Sequence, residues 1–125
     1  MNMEQLYKSV LEQDQAPIVL CNLDHTIVYM NPVAAKRYAQ SGGYKLVGRS
    51  VLDCHNKESR EKIEKVLDWF REDENHNKIY TFLNERENKD VYMIALRDEN
   101  NKLIGYYEKH EYRNHESGKL YDFGE

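Results

Sequence analysis

A stripe of apolar side chains near the middle of the chain constrains the fold more than any other feature of the sequence. Four residues recur at i, i+3, i+4 and i+7, which places them on one face of an α-helix that follows Asn56: Ile63, Val66, Leu67 and Phe70. The other face is charged, so the helix is predicted to be half-buried. Because a helix of this kind gains most of its stability from packing, the chain must supply an apolar surface to cover the stripe.

Five segments have the composition of short β-strands and can supply that surface. Short polar links join neighbouring segments, and short links imply antiparallel pairs. The segment 90–97 is apolar on both sides, as expected for a strand that is covered on both faces, so either side could line the interior. A shift of one residue in register would exchange the two sets. The predicted strands are residues 18–21, 26–30, 78–83, 90–97 and 102–112.

Two further helices are predicted before the central one. Residues 3–13 carry apolar side chains at helical spacing, and Asn31 followed by Pro32 is typical of a helix start. The first helix is expected to cover the back of the sheet or to pair with a second copy, which would give a homodimer through residues 3–13. We therefore divide the chain into an N-terminal cap helix (1–15), one domain (16–113) and a loosely ordered tail (114–125).

Composition excludes several classes of protein. A chain of 125 residues can fold around a single core, and a net charge of −4 argues against binding to a nucleic-acid backbone. Two cysteines cannot form a disulfide framework, and the N-terminus lacks the features of a secretion signal, so a cytoplasmic protein is expected. Neither a membrane span nor a catalytic triad can be argued from the sequence, and no enzymatic activity is expected.

Three passages together resemble a PAS domain over about residues 16–113. Residues 23–32 resemble the first hairpin of that family, and Gly48-Arg49 resembles the glycine that precedes its long helix. Residues 97–101, followed by Leu103, Gly105 and Glu108, resemble its last hairpin. The resemblance implies an α+β fold, in which a five-stranded antiparallel sheet has helices on one face and an N-terminal cap helix. More narrowly, residues 48–59 are similar to PAS modules found with hemerythrin-like domains, although Asn56 and Lys57 replace the prolines of that subgroup.

The resemblance also implies a ligand cavity between the sheet and the central helix. A stand-alone sensory module is therefore expected, which binds a small molecule and acts by association with itself or an effector protein. A ligand-free interaction adaptor is the alternative. The candidate pocket residues are Ile63, Val66, Leu67, Phe70, Tyr80, Phe82, Tyr92, Ile94 and Arg49.

Cys54 and His55 are the most reactive residue types near this helix. A cysteine at a helix N-terminus can have a lowered pKa, and either residue could serve as an axial haem ligand, as in some PAS domains. The simpler interpretation is structural: Cys54 is a small buried residue, and His55 or Asn56 caps the helix. Arg49 could bind an anion by its guanidinium group or form a surface ion pair.

Overall fold

The computed structural model describes residues 2–125, which form one antiparallel sheet and three α-helices. The strand order is β2-β1-β5-β4-β3. This architecture confirms the α+β fold with a five-stranded antiparallel sheet and an N-terminal helix. The helices and strands are α1 (Met3–Gln13), β1 (Val19–Asn22), β2 (Ile27–Met30), α2 (Pro32–Arg37), α3 (Lys57–Glu72), β3 (Lys78–Asn84), β4 (Lys89–Arg97) and β5 (Leu103–Tyr112).

Local hydrogen bonds explain where the helices begin. The side chain of Asn31 accepts from the main-chain N–H of Ala34 (3.0 Å), and that of Asn56 accepts from the N–H of Ser59 (2.8 Å), so both asparagines act as N-caps. Three short 3₁₀ turns, Ala39–Ser41, Gly43–Leu46 and Val51–Cys54, connect α2 to α3. Asn56, and neither Cys54 nor His55, therefore starts α3.

The core lies between one face of the sheet and the layer formed by α2, the 3₁₀ turns and α3. We call this side of the sheet the inner face. Leu67 and Phe70 of α3 are fully buried there, and Ile63 and Val66 pack against the same cluster. Gly105 allows β1 to approach β5, because a Cβ at this position would lie 2.3 Å from the carbonyl oxygen of Cys21.

Helix α1 does not cover the outer face of the sheet, which corrects one of the two expected positions for it. Its apolar side chains remain exposed: Met3 (48%), Leu6 (44%), Tyr7 (63%) and Val10 (71%). Glu12 accepts a hydrogen bond from the hydroxyl of Tyr29 (3.1 Å), and helical periodicity puts Glu12 opposite Met3 and Val10. The apolar stripe of α1 therefore points away from its own domain.

The fully buried side chain of Asn31 joins α1, β1 and α2. Its oxygen accepts from the N–H groups of Ile18 (2.9 Å) and Ala34 (3.0 Å). Its amide nitrogen lies 2.9 to 3.3 Å from the carbonyl oxygens of Leu11, Asp14 and Ala16, to which it donates. The amide group thereby uses its full capacity for hydrogen bonds.

Replacing Asn31 by Asp should destabilise the protein strongly. Asp keeps the acceptor for Ile18 and Ala34, but it places a second oxygen against the three carbonyl groups that the amide now satisfies. We expect the free energy of unfolding to fall by about 3 kcal/mol, measured by urea denaturation, because buried polar groups lose their partners. Asn100→Asp in the exposed β4–β5 turn is the matched control, and equal losses in the two variants would contradict the role assigned to Asn31.

Candidate functional site

The register of β4 and β5 identifies the residues that face inward. Met93 pairs with Glu108, Val91 with His110, and Lys89 with Tyr112. Directly opposed residues share a face, and Val91 and Met93 are buried in the core. The inner face of β5 therefore carries Tyr106, Glu108, His110 and Tyr112.

One half of this inner face is apolar and filled. Tyr106, Leu103 and Met93 pack with Leu67 and Phe70 of α3 in a single cluster. All four predicted helix residues thus lie in or against the core, on the side of α3 that faces the sheet. Leu67 and Phe70 are fully buried by protein atoms, so this half of the face serves packing.

Several predicted sheet residues lie on the opposite face. Tyr92 and Ile94 alternate with the inward Val91 and Met93, and Tyr80 pairs with Tyr92, so all three belong to the outer face. A register shift between Tyr80 and Phe82 then pairs Phe82 with Val91 and returns it to the inner side, where it is 57% exposed. The sequence had left the inward face of β4 open, and the structure places Val91 and Met93 inward and the candidates Tyr92 and Ile94 outward. For β3 the sequence assumed an unbroken alternation, which the register shift interrupts.

The residues beside the start of α3 point in different directions. Cys54 is exposed, whereas His55 is half-buried, and its Nδ1 is buried without a hydrogen-bond partner among residues 2–125. The side chain of Arg49 is exposed, and its carbonyl oxygen accepts from the N–H of Ile27 (2.9 Å). Of the three, only His55 directs a polar atom into the interior.

The other half of the inner face is polar, and we define this polar half by Lys89, Glu108 and His110 of the sheet together with Arg37 and Glu87. Arg37 donates to both carboxylate oxygens of Glu87 at 2.8 Å, and these bonds lower the pKa of Glu87 to about 2. The ammonium of Lys89 is fully buried, 3.5 Å from Oε1 of Glu87 and 5.2 Å from the centre of the Tyr112 ring. Two cations therefore share one carboxylate.

Glu108 and His110 complete the polar half. Desolvation raises the pKa of Glu108, and electrostatic interactions with His55, Lys89 and Arg37 oppose part of that shift. The side chain of Glu108 is nevertheless exposed, because it borders an open cleft. Burial lowers the pKa of His110 to about 4, and its buried Nδ1 has no hydrogen-bond partner in the described part of the chain.

With this geometry established, comparison with known proteins identifies the family. A family model for the PAS domain matches residues 15–108. The chain belongs to the PAS domain family. Members of this family are generally sensory, non-catalytic modules, as in sensor kinases. No curated protein sequence matches the chain.

Solved structures share the PAS fold along most of the chain. The C-terminal domain of a Streptococcus mutans protein is 27% identical, with 89% of this chain and 84% of that chain covered (TM-score 0.65). A PAS domain from Colwellia psychrerythraea is 16% identical, with 88% and 96% covered (TM-score 0.64). A sensory box sensor histidine kinase from Vibrio cholerae is 14% identical, with 88% and 90% covered (TM-score 0.58).

Two further features bear on the function of this PAS domain. None of the helices within residues 2–125 is long and apolar enough to cross a membrane. Among the same residues, no group of three or more His, Cys, Asp and Glu side chains is arranged to hold a metal ion.

The cavities of the PAS domain differ in their relation to the polar half. An open depression of about 470 Å³ runs along the charged, exposed side of α3, away from the inner face. A smaller cleft of about 80 Å³ lies between residues 14–18 and residues 107–110 and is lined by Glu108 and His110. Although it is smaller, the second cleft is the one that reaches the polar half.

A chain of hydrogen bonds connects the inner face to α3. Nδ1 of His25 lies 2.8 Å from the hydroxyl of Tyr106, and Nε2 lies 2.5 Å from Oε1 of Glu64. Cys21 is hydrogen-bonded to Tyr106, and burial raises the pKa of the Cys21 thiol to about 11, so it stays protonated. Glu108 lies two residues from Tyr106 on the same face of β5.

Sequence reasoning missed most of this polar half. Lys89 lies one residue before the predicted strand, yet it is an even number of residues from the buried Val91 and Met93 and so lies on the same face. Glu108 and His110 lie on the same face as Tyr106 for the same reason. Charged side chains at inward positions of a strand are the signal that could have identified them, since such residues are seldom buried without a partner.

His110 should make the PAS domain less stable in mild acid. Its ordinary pKa of 6.5 applies to the unfolded chain and falls to about 4 on folding, so the unfolded state binds the extra proton between these values. The contribution of His110 is fully present above pH 6.5 and is lost as the pH falls toward 4. Glu108, whose pKa is raised, contributes with the opposite sign.

We therefore expect His110→Gln to flatten the dependence of the unfolding free energy on pH between 6.5 and 4. Urea denaturation at a series of pH values measures this. His115→Gln in the exposed tail is the control and should leave the wild-type slope unchanged. An unchanged slope in His110→Gln would show that His110 titrates normally in the folded state.

Proposed function

We propose that this PAS domain is a non-catalytic sensor that binds a small ligand in the polar half of the inner face. The observation that carries the proposal is the pair of buried Nδ1 atoms of His55 and His110, which make no hydrogen bonds within residues 2–125. Buried polar atoms are nearly always paired, so these two atoms support a site that a polar ligand completes. The fully buried Lys89 supports the same site.

The hydrogen bonds of His25 support a route by which binding would be transmitted. A ligand beside Glu108 would alter the position of the Tyr106 side chain. The hydroxyl of Tyr106 is hydrogen-bonded to His25, and His25 is hydrogen-bonded to Glu64 on α3. A ligand shifts a conformational equilibrium only by its difference in affinity for the two states. In this proposal the two states differ in how α3 lies against the β1–β2 turn.

Natively purified protein should carry a bound small molecule, detected by native mass spectrometry. His110→Phe fills the polar half with an apolar ring and should reduce the bound fraction at least tenfold, whereas His115→Phe in the tail should leave it unchanged. If neither a bound species nor a thermal shift across a metabolite panel is found, the ligand-free adaptor becomes the better interpretation.

We further propose that the domain associates through α1 with a second copy of itself. The apolar stripe of α1 points away from its own domain, and the outer face of the sheet presents the half-exposed aromatic ring of Tyr80 (52%). Two unpartnered apolar surfaces on one molecule can cover each other in a symmetric pair. An effector protein that uses the same surfaces is the other partner the proposal allows.

Leu6→Glu should weaken the dimer, because it places a charge in the middle of the apolar stripe. Gln5→Glu introduces the same charge on the opposite side of α1 and is the matched control. Sedimentation equilibrium should show a dissociation constant raised about tenfold or more for Leu6→Glu alone, since burying an unpaired charge is costly. If wild type and Leu6→Glu are both monomeric at all concentrations, association through α1 is wrong.

Cys54 and His55 suggest haem as an alternative ligand, but the residues around them do not fit a porphyrin. Cys54 is exposed, and beside His55 the polar half carries the polar side chains of Glu108 and Lys89. The rest of the space between α3 and the sheet is filled by Leu67 and Phe70, so a porphyrin would displace the packing of α3.

We also propose that the chain belongs with the PAS modules of the hemerythrin-associated type. This assignment rests on the Gly48-Arg49 and Cys54-His55 sequence alone.

A further inference from the structure

We propose that residues 119–125 of the tail dock on the outer face of their own sheet and compete there with α1 of a second copy. The docking follows from the exposed side chains of the tail, from the charges of the outer face and from the reach of the chain. Its effect on association rests on the proposed function, because the outer face is the surface that we propose for α1 of the partner copy.

The tail carries large apolar side chains that the fold leaves exposed. Leu120 and Tyr121 are each 86% exposed, and Phe123 is 78% exposed. The ring centres of Tyr121 and Phe123 lie 6.4 Å apart, so the two rings form one apolar surface. Segments that stay in solvent are normally polar, and large apolar side chains gain free energy when they leave water. Residues 119–125 therefore have the composition of a segment that binds to an apolar surface.

A band of half-buried apolar side chains crosses the outer face of the sheet. It consists of four residues that are paired in the strand register: Ile94, Tyr107, Leu20 and Tyr29. Three of the four lie on interior strands and still retain accessible surface, so no second layer within residues 2–125 covers them fully. In the adjacent row Tyr80 pairs with Tyr92, and their ring centres lie 5.3 Å apart. Aromatic rings from the tail can pack against such a surface.

The charges beside this band complement those of the tail. Lys78 and Lys109 both contact the carboxylate of Glu111, at 3.5 and 3.2 Å, and Arg113 forms an ion pair with Asp90 at 2.8 Å. Three cations therefore share two carboxylates at this end of the outer face. The docking segment has one cation and two carboxylates: Lys119, Asp122 and Glu125. Opposite excess charges attract the segment to the outer face and fix its position there.

The tail is long enough to reach the band from the point where it leaves the sheet. The side-chain amide of Asn88, in the β3–β4 turn, donates to that of Asn114 (2.6 Å), so the tail starts at this end of the sheet. Tyr92 lies four strand residues from Asn88, or about 13 Å. Residues 115–120 extend over about 20 Å. Ser117-Gly118 supplies residues that favour the reversal of direction which docking requires.

Nuclear Overhauser effects in the full chain test the docking directly. The ring protons of Tyr121 and Phe123 should show such effects to the methyl groups of Ile94 on the outer face, and none to those of Ile63 on the inner side. A mixture of labelled and unlabelled protein separates contacts within one chain from contacts between chains. Absence of effects to Ile94, or effects between chains alone, would overturn the inference.

Phe123→Ser should strengthen association through α1, because it removes a ring from the competing tail. A tail that is docked nine-tenths of the time leaves the outer face available one-tenth of the time, which raises the apparent dissociation constant about tenfold. Sedimentation equilibrium should therefore give a dissociation constant about tenfold lower for Phe123→Ser than for wild type. His115→Ser, also in the exposed tail, is the matched control and should leave the constant unchanged.

The other outcomes separate this inference from the proposed function. Equal constants for wild type and Phe123→Ser would overturn the competition, and a weaker dimer in Phe123→Ser would show that the tail belongs to the interface between copies instead. If all three proteins stay monomeric, the proposed association through α1 fails, and the Overhauser effects alone then decide whether the tail docks. Both substitutions lie at exposed positions outside the core, so neither result depends on a damaged fold.

Discussion

The hydrogen bonds of one buried amide, Asn31, hold the edge of this fold together. A single side chain caps α2, accepts from the N–H of Ile18 just before β1, and donates to three carbonyl oxygens at and just after the end of α1. An amide can serve both sets because it has donors and acceptors in one plane. Within residues 2–125, the side-chain hydrogen bonds that hold α1 to the domain lie at its last turn and the following segment, and its apolar stripe is exposed.

The inner face of the sheet has an apolar half that stabilises the fold and a polar half that we propose as the ligand site. Leu67 and Phe70 fill the apolar half, which provides the hydrophobic burial that stabilises a domain of this size. The polar half places Lys89 at a fully buried position beside the carboxylate of Glu87, which also binds Arg37. Burying a charge in this way lowers the free energy of unfolding unless the ion pair compensates for the lost hydration. Local costs of this kind are typical of functional sites, where side chains are arranged for a ligand more than for the fold. Tyr106, with its ring in the core and its hydroxyl on His25, joins the two halves.

Prediction from sequence succeeded where structure depends on neighbours in the chain. The helix periodicity of Ile63 to Phe70 identified the buried side of α3, and Asn31 was predicted as an N-cap because capping uses residues only three positions away. For α3 the sequence left His55 and Asn56 as alternatives, and the structure selects Asn56. Prediction from sequence did not identify which face of each strand points inward. Because β4 is apolar on both sides, alternation alone could not select the residues that point inward. In β3, the register shift beside Thr81 places Tyr80 and Phe82 on opposite faces of the sheet.

The helices, the five strands and their resemblance to PAS domains follow from the sequence, because periodicity, capping and turn residues act over a few positions. Which side chains meet depends on the folded arrangement of the strands and helices. Arg37, Lys89 and His110 are separated by many residues, and they come together because β5 lies in the middle of the sheet, beside β4, with α2 on the same face. Cys54 and His55, adjacent in sequence, diverge instead, with one side chain exposed and the other turned inward. Long-range contacts of this kind depend on strand order and register, which no short stretch of sequence encodes.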